Sequence, residues 1–230
     1  MIDAGRAIQH PFEDKDWVSK IAIGSVIALV PVFNFTLNGY MLAVMRNTSR
    51  GHDVPLPLWE NLTGYLIDGL KMFVVQLMYA IPILALGLGL MVLTFVAGLL
   101  TNHFDSASDA ITTVYGLLVT GTGCIVFVYL LAFSFLLPAL YIGLARTDEI
   151  ASALRIHDIV ATMRKDFGSY VLVAVTPVLF IILFTFLYML LGLIPFVNIC
   201  LSCITYPALF LMVPYFSIVL GHLYGQMMRS

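Results

Sequence analysis

The sequence predicts an all-α, polytopic membrane protein, and two observations lead to this fold class. The first is composition, because 61% of the 230 residues are hydrophobic and only 10% are charged, against about 45–50% and about 25% in soluble domains. The second is a set of three long stretches, 73–100, 112–145 and 170–228, that contain no Asp, Glu, Lys or Arg. A helix needs roughly 20 apolar residues to cross a bilayer core, so each stretch is long enough to span it.

These stretches predict four full transmembrane helices within a single domain, 1–230. The helices are expected near residues 72–100, 113–145, 169–193 and 197–225. Glycine has no side chain and lets two helix backbones come close. The four glycines Gly87, Gly89, Gly121 and Gly123 therefore allow close approach of helix backbones.

The segment 21–45 is predicted to form a re-entrant helical hairpin that turns near Pro31 and Asn34. Short cytoplasmic loops collect Lys and Arg, and basic residues flank this segment on both sides. They are Arg6, Lys15 and Lys20 before it, and Arg46, Arg50 and Lys71 after it. Both flanks are therefore expected in the cytoplasm, and two full spans do not fit between them. The alternative is one ordinary span with the N-terminus outside.

The same rule orients the remaining segments. Segment 146–168 and the C-terminus carry five further basic residues, whereas segment 101–112 carries none. The five are Arg146, Arg155, Arg164, Lys165 and Arg229. The protein is therefore predicted to be a multi-pass protein of the cell membrane with both termini in the cytoplasm. Residues 1–20 are polar and lack the apolar region of a cleavable signal peptide, so they are expected to be a cytoplasmic N-terminal segment.

A short internal similarity supports the hairpin. The sequence LVPVFNF at 29–35 resembles LIPFVNI at 193–199, and the second copy falls where the topology requires a tight turn outside the membrane. Proline disfavours helix in the residue before it, and asparagine accepts turn geometry. Both copies are expected at hairpin tips.

Two cytoplasmic segments are predicted to be amphipathic. In the loop 46–71, residues 53–59 contain two prolines and are expected to be extended. An interfacial helix then follows over 59–71, with its apolar stripe formed by Leu62, Leu66, Gly69 and Leu70. In 146–168, apolar residues recur at helical spacing and Thr147 is placed to cap the start. The apolar residues of this second helix are Ala153, Ile156, Val160, Met163 and Phe167.

One run of residues resembles a known family. Arg46-Asn47 is followed by the sequence DVPLPLWEN at 53–61 and by DGLK at 68–71, which is similar to the DUF4013 family of bacterial and archaeal membrane proteins of unknown function. HPFED at 10–14, Trp17, and GHLYGQ at 221–226 also fit that pattern. In the usual form a Phe-Gly pair follows the Trp and acid, and here 62–64 reads Leu-Thr-Gly instead. The resemblance implies a helical membrane fold and supplies no activity and no catalytic residue.

Charged residues inside membrane helices mark transport paths and proton relays, and the four predicted spans have no Asp, Glu, Lys or Arg in their middle. Uncharged polar residues occur there: Gln76, Thr94, Thr120, Thr122, Ser134, Thr176, Thr185, Asn198, Ser202, Thr205 and Ser217. Most of the hydroxyls are expected to bond their own helix backbone or a neighbouring helix. Gln76 and Asn34 are expected to face protein. The alternative is a polar lining for the path of a small solute.

Neither a hydrolase motif nor a nucleotide-binding motif is present. The cysteines Cys124, Cys200 and Cys203 are expected to serve packing, because the CxxC pair lacks further zinc ligands. His222 alone lies in a predicted span. A bis-histidine haem would need a second facing histidine, so His222 is expected to be hydrogen-bonded to a loop and not to hold a pigment. No catalytic, cofactor-binding or metal-binding residue and no cofactor is therefore predicted.

The expected function is that of a non-enzymatic accessory or scaffold subunit of a larger membrane assembly. The expected partners are the lipid bilayer and other integral membrane subunits. A net charge of −2 offers no footprint for nucleic acid. The alternative is a small-solute channel or transporter, or a lipid-handling protein, in which broken helices at Pro31 and Pro195 shape a site.

Overall fold

The computed structural model describes residues 2–52, 54–103, 108–192 and 195–229. Side chains are described within these ranges except at 102–103, 108, 156, 181, 183–184, 187–188 and 191–209. Helix accounts for 89% of the chain, and the described residues contain no strand. The predicted all-α class is confirmed.

Nine α-helices follow one another along the described residues. They are α1 (Ala4–Gln9), α2 (Trp17–Leu29), α3 (Phe35–Ser49), α4 (Leu62–His103), α5 (Ser108–Thr147), α6 (Ile150–Leu154), α7 (Ile156–Lys165), α8 (Phe167–Gly192) and α9 (Pro195–Arg229). Two 3₁₀ turns, His10–Glu13 and Trp59–Asn61, precede α2 and α4. The helices form two compact units. The first unit comprises Met1–Val75 and Leu136–Ser230, and the second comprises Gln76–Phe135.

Two helices are long and apolar enough to cross a membrane, among the residues that the structure describes. They cover Trp59–Thr101 and Asp109–Thr147 and correspond to the predicted spans 72–100 and 113–145. Residues 104–107, between these two helices in sequence, lie outside the described residues. The connection 193–194 between α8 and α9, which includes part of the second copy of the repeated sequence, also lies outside them.

Helix α9 forms the centre of the first unit, where it packs along α3 and α2. A Cβ atom at Gly221 would lie 2.9 Å from the Met41 carbonyl oxygen, and one at Gly225 would lie 2.9 Å from that of Met45. Two glycines four residues apart occupy one helix face, so the backbone of α9 reaches that of α3. Both glycines belong to the sequence GHLYGQ at 221–226, and neither was predicted to make a helix contact.

The backbones of α3 and α4 also meet at glycines. A Cβ at Gly39 would overlap the Tyr65 carbonyl oxygen, and one at Gly69 would overlap that of Phe35. The close approach that Gly87, Gly89, Gly121 and Gly123 allow does not occur in the described part of the chain, because a Cβ at any of them meets nothing within 4 Å. Those four glycines lie in the second unit, whose helices leave them facing open space.

A turn at residues 30–34 separates α2 from α3, at the place where the tip of the hairpin is predicted. Val30 ends α2 in an extended conformation, with φ −95° and ψ 115°, as expected for a residue before proline. Helix α3 begins at Phe35. The expectation that Asn34 faces protein is wrong, because Asn34 is exposed at the turn.

The predicted boundary between an interfacial helix at 59–71 and a span at 72–100 is absent. Helix α4 runs without a break from Leu62 to His103, because nothing between Leu70 and Phe73 interrupts helical geometry. Of the predicted stripe, Gly69 is buried and Leu66 is half-buried, whereas Leu62 and Leu70 are exposed. Met72, which is not part of that stripe, is also buried.

The predicted single helix over 146–168 is two short helices, α6 and α7, which break at Arg155. Thr147 is the last residue of α5 and does not cap the next helix; Glu149 holds that position. Asp148 adopts a positive φ of 62° and reverses the chain direction after α5. Ile159 supplies the buried contact of α7, whereas the predicted Phe167 is exposed.

Candidate functional site

An ionic cluster joins α3, α4 and the end of α5. Arg46 donates to Asp68 at 2.5 Å and to Asp148 at 3.0 Å, and its Nε donates to the Ala145 carbonyl at 3.3 Å. Lys71 Nζ lies 2.9 Å from Asp148 and 3.6 Å from Asp68. The planar guanidinium of arginine presents several donors in fixed directions, so one side chain holds three partners from two other elements. The cluster ties these elements together.

Local sequence explains how the cluster forms. Asp68 and Lys71 are three residues apart on α4 and therefore share a helix face. The hydrogen bond from Lys71 is the largest influence on Asp148, and together with the charges of Lys71 and Arg46 it outweighs burial. The pKa of Asp148 therefore lies below its ordinary value of 3.8. The Asp148 carboxylate therefore remains charged at neutral pH, as an ionic tie requires.

A second polar group is buried between the start of α2 and the segment before α4. The Asp14 carboxylate accepts from Lys20 Nζ at 2.8 Å and from the Leu56 N–H at 2.7 Å. Lys20 also donates to the Leu56 carbonyl at 2.8 Å. The backbone N–H of Asp16 donates to Asp14, and the Trp59 indole donates to the Lys20 carbonyl. Because both charges are desolvated but paired and hydrogen-bonded, this group fixes the extended segment against α2.

An aromatic stack covers this buried group. The Tyr40 and Trp59 rings lie parallel with centroids 4.1 Å apart, and Tyr65 meets both edge-on. The Tyr40 hydroxyl donates to the Pro57 carbonyl, and the Tyr65 hydroxyl donates to the Leu58 carbonyl. The proline-containing segment has few internal backbone hydrogen bonds, so these side chains satisfy its carbonyl groups.

His222 has a ring partner that the sequence analysis did not anticipate. Its imidazole stacks on that of His10 with centroids 4.1 Å apart, and both rings are buried. Gln226 bridges to His222 Nδ1 at 3.0 Å, and its amide also pairs with the backbone of Asp3. Rings stacked this closely leave no space for a porphyrin between them. The described residues contain no group of three potential metal ligands.

The hydroxyl groups of the predicted spans mostly bond to the carbonyl four residues earlier, as predicted. Thr94, Thr120, Thr176 and Ser217 follow this pattern at 2.7–3.0 Å. Ser134 bonds to the carbonyl three residues earlier. The side chains of 198, 202 and 205, like those of the CxxC pair, lie outside the described set. These described hydroxyls serve their own helix backbone.

The residues that carry the family resemblance therefore converge in the structure. Arg46, Asp68 and Lys71 build the ionic cluster, and Trp59 covers the buried ion pair. In the sequence these residues form a family pattern that predicts no contacts between them. Their spacing alone could not reveal the contact, because Asp148, which completes the cluster, lies about a hundred residues further along the chain.

Comparison with known proteins agrees with this pattern. The family profile described as "Protein of unknown function (DUF4013)" matches residues 23–196. The similar sequences at 10–17 and 221–226 lie outside the matched range. No curated protein and no solved structure matches at a significant level. The matched range covers most of the chain, and the protein belongs to the DUF4013 family of proteins of unknown function.

Proposed function

We propose that this protein is a multi-pass membrane protein that acts as a non-enzymatic accessory or scaffold subunit of a larger membrane assembly. In this proposal α4, α5, α8 and α9 are the four spans, and the hairpin of α2 and α3 enters the membrane without crossing it. Both termini lie in the cytoplasm. The partners are the bilayer and other integral membrane subunits.

The apolar surface of α4 is the observation that carries the proposal. The most apolar stretch of Trp59–Thr101 has no buried residue within the structure. Met91 is 71% exposed and Phe95 is 68% exposed. A core helix of a soluble protein would be mostly covered, and large exposed apolar patches mark contacts with a membrane or another protein. Lipid or a partner helix is therefore the expected neighbour.

The length of α2 supports a hairpin and not a span. Trp17–Leu29 has 13 residues, which is roughly 20 Å of helix against a hydrocarbon core of about 30 Å. The turn that follows exposes apolar side chains, because Val32 is 61% and Phe33 is 47% exposed. An exposed apolar tip fits a turn that ends within the lipid.

Contacts in the first unit support the proposal that the predicted cytoplasmic segments lie on the same side of the membrane. Arg46 from the segment after the hairpin pairs with Asp148 from the segment after α5. A Cβ at Gly51 would lie 3.7 Å from the Arg229 guanidinium. The backbone of Asp3 pairs with Gln226. Segments in contact lie on one side of a membrane, which is the arrangement that the positive-inside rule requires.

A structural role also accords with the state of the charged groups. Asp14 and Lys20 neutralise each other, and Arg46, Asp68, Lys71 and Asp148 form one network. Ion pairs of this kind tie elements together.

Purification of the full chain from its native membranes in mild detergent tests the proposal. A photo-reactive analogue at Met91 should cross-link to one partner of defined mass, and the same analogue at exposed Lys15 should not. A stoichiometric partner should survive size exclusion. A lone protein that moves solute across liposomes would instead establish the transporter alternative. Release from membranes by alkaline carbonate would overturn the membrane assignment itself.

A further inference from the structure

A cleft of about 330 Å³ opens in the first unit between the last turns of α5 and helices α6 and α7. Ligand sites occupy about 300–1,000 Å³, so this cleft suits a small polar group. Its lining residues are Ala139, Gly143, Arg146, Thr147, Ser152, Asp158, Ile159, Ala161, Thr162 and Lys165.

The floor of the cleft is built and held in place. Ala139, Ser152 and Ile159 are buried. The Ser152 hydroxyl oxygen lies 2.7 Å from the Glu149 carbonyl, 3.2 Å from the Gly143 carbonyl and 2.5 Å from the Thr147 hydroxyl. These contacts attach α6 to α5, and the backbone of Ala153 packs against Gly143.

The rim carries two positive charges and one negative charge. Arg146 and Lys165 form no ion pair with any carboxylate in the part of the chain that the structure describes, although other basic residues there do. Asp158 lies near His157 at 3.6 Å. A cleft with free cations beside a carboxylate is complementary to a ligand that carries both signs.

We propose that this cleft binds the phosphoethanolamine headgroup of a membrane phospholipid, with the phosphate on Arg146 and Lys165 and the ammonium on Asp158. This inference rests on the proposed function, because the headgroup belongs to the bilayer in which α5 lies. Residues 112–145 are uncharged, and Arg146 is the first charged residue after them. The cleft therefore extends from the apolar to the charged part of one helix, which is the depth of a headgroup.

The lining distinguishes this headgroup from its relatives. A quaternary choline is bound through aromatic faces, and none of the ten lining residues is aromatic. A purely anionic headgroup would place negative charge beside Asp158. A primary ammonium donates hydrogen bonds, for which Asp158 and the Thr162 hydroxyl are acceptors. The ethanolamine group fits this set of side chains.

The test uses the full chain, stripped of lipid in detergent and then given phosphatidylethanolamine, phosphatidylcholine or phosphatidylglycerol. Retained lipid is measured by native mass spectrometry, and the thermal midpoint is measured alongside. Phosphatidylethanolamine should be retained over the other two. Lys165→Gln with Arg146→Gln should weaken its retention about five- to tenfold. Arg164→Gln is the control for the loss of a nearby positive charge, because Arg164 does not line the cleft, and it should change nothing.

Two further outcomes complete the test. Asp158→Asn should move the preference from phosphatidylethanolamine towards phosphatidylglycerol, because the ammonium loses its counter-charge. If free phosphoethanolamine raised the thermal midpoint as much as phosphatidylethanolamine does, the proposal that the headgroup comes from a membrane lipid would be overturned. Equal retention of all three lipids by a protein that stays in carbonate-washed membranes would overturn this inference alone. Release of the protein from membranes during the carbonate wash would instead overturn the proposed function.

Discussion

The Lys20 ammonium lies 2.8 Å from the Asp14 carboxylate, and the two side chains are only 5% and 3% exposed. The pair also holds both backbone groups of Leu56. Breaking a buried pair by removing one partner leaves an uncompensated charge and costs about 3–5 kcal/mol. The fold of the first unit therefore depends on this contact.

Lys20→Met should lower the free energy of unfolding by about 3–5 kcal/mol, measured by denaturation in detergent. Lys15→Met removes an exposed lysine nearby and should change stability by less than about 0.5 kcal/mol. Adding Asp14→Leu to Lys20→Met should recover part of the loss, because no charge is then left unpaired. Equal stability of Lys20→Met and the unaltered protein would contradict the role of the pair.

Acid should destabilise the protein through Asp14. Burial raises the pKa of Asp14, but the hydrogen bond from Lys20, the N–H groups of Asp16 and Leu56, and the Lys20 charge together lower it below 3.8. A lowered folded pKa gives stability that is present above pH 3.8 and is lost as the pH falls through the folded value. Unfolding midpoints between pH 2 and 7 should fall at the acid end. The unfolding midpoint of Asp14→Asn should fall less steeply with acid than that of the unaltered protein. An identical slope in the two proteins would exclude protonation of Asp14 as the cause.

Arg46→Lys should destabilise the first unit although it keeps the charge. A lysine ammonium cannot donate at once to Asp68, Asp148 and the Ala145 carbonyl as the guanidinium does. The expected loss is about 1–2 kcal/mol, since these groups are partly exposed and solvent screens them. Arg50→Lys is the control, because Arg50 lies outside the ionic cluster. The Arg46→Lys loss should shrink in high salt, and a loss independent of salt would point to packing instead.

Gly39→Ala should destabilise the contact between α3 and α4. The added methyl group would overlap the Tyr65 carbonyl oxygen, which is backbone and cannot rotate away. Overpacking of this kind costs about 3 kcal/mol. Gly87→Ala meets open space and should stabilise helix α4 by about 0.5–1 kcal/mol. The order of the two thermal midpoints checks the prediction, and similar midpoints would contradict it.

Lys15→Cys should report the side on which the N-terminal segment lies. Lys15 is exposed, whereas His10 is buried and would react slowly wherever it lay. In a cysteine-free background, a membrane-impermeant maleimide should label position 15 only after the cells are opened. Position 164, in the segment after α5, should behave in the same way. Labelling of position 15 in intact cells would replace the hairpin with one ordinary span.

Much of the fold could be predicted from local sequence. The long uncharged stretches predicted α4 and α5, and Pro31 predicted the turn between α2 and α3, because composition and proline geometry act within a few residues. The boundary at residue 71 was wrong because Lys71 interrupts an apolar run without interrupting a helix. A charged side chain changes the environment that one helix face prefers, but it does not interrupt the hydrogen bonds of the helix backbone.

The candidate site was harder to predict. Arg46, Asp68 and Lys71 were visible as a pattern, but Asp148 carried no signal of its own. Likewise, no second histidine was predicted to face His222, and the structure shows the His10 ring stacked on it. Contacts between residues far apart in sequence depend on how whole helices pack, and no periodicity records them.

The sequence by itself determined that this chain is all-helical and predominantly apolar, and it placed most of the charges in a few short segments. Only the tertiary structure decided which charges pair, and that close helix contacts occur at Gly39, Gly69, Gly221 and Gly225. The reason is physical. Helix formation and apolar character are properties of neighbouring residues, whereas an ion pair or a backbone contact requires two distant segments to meet at a distance of a few ångströms.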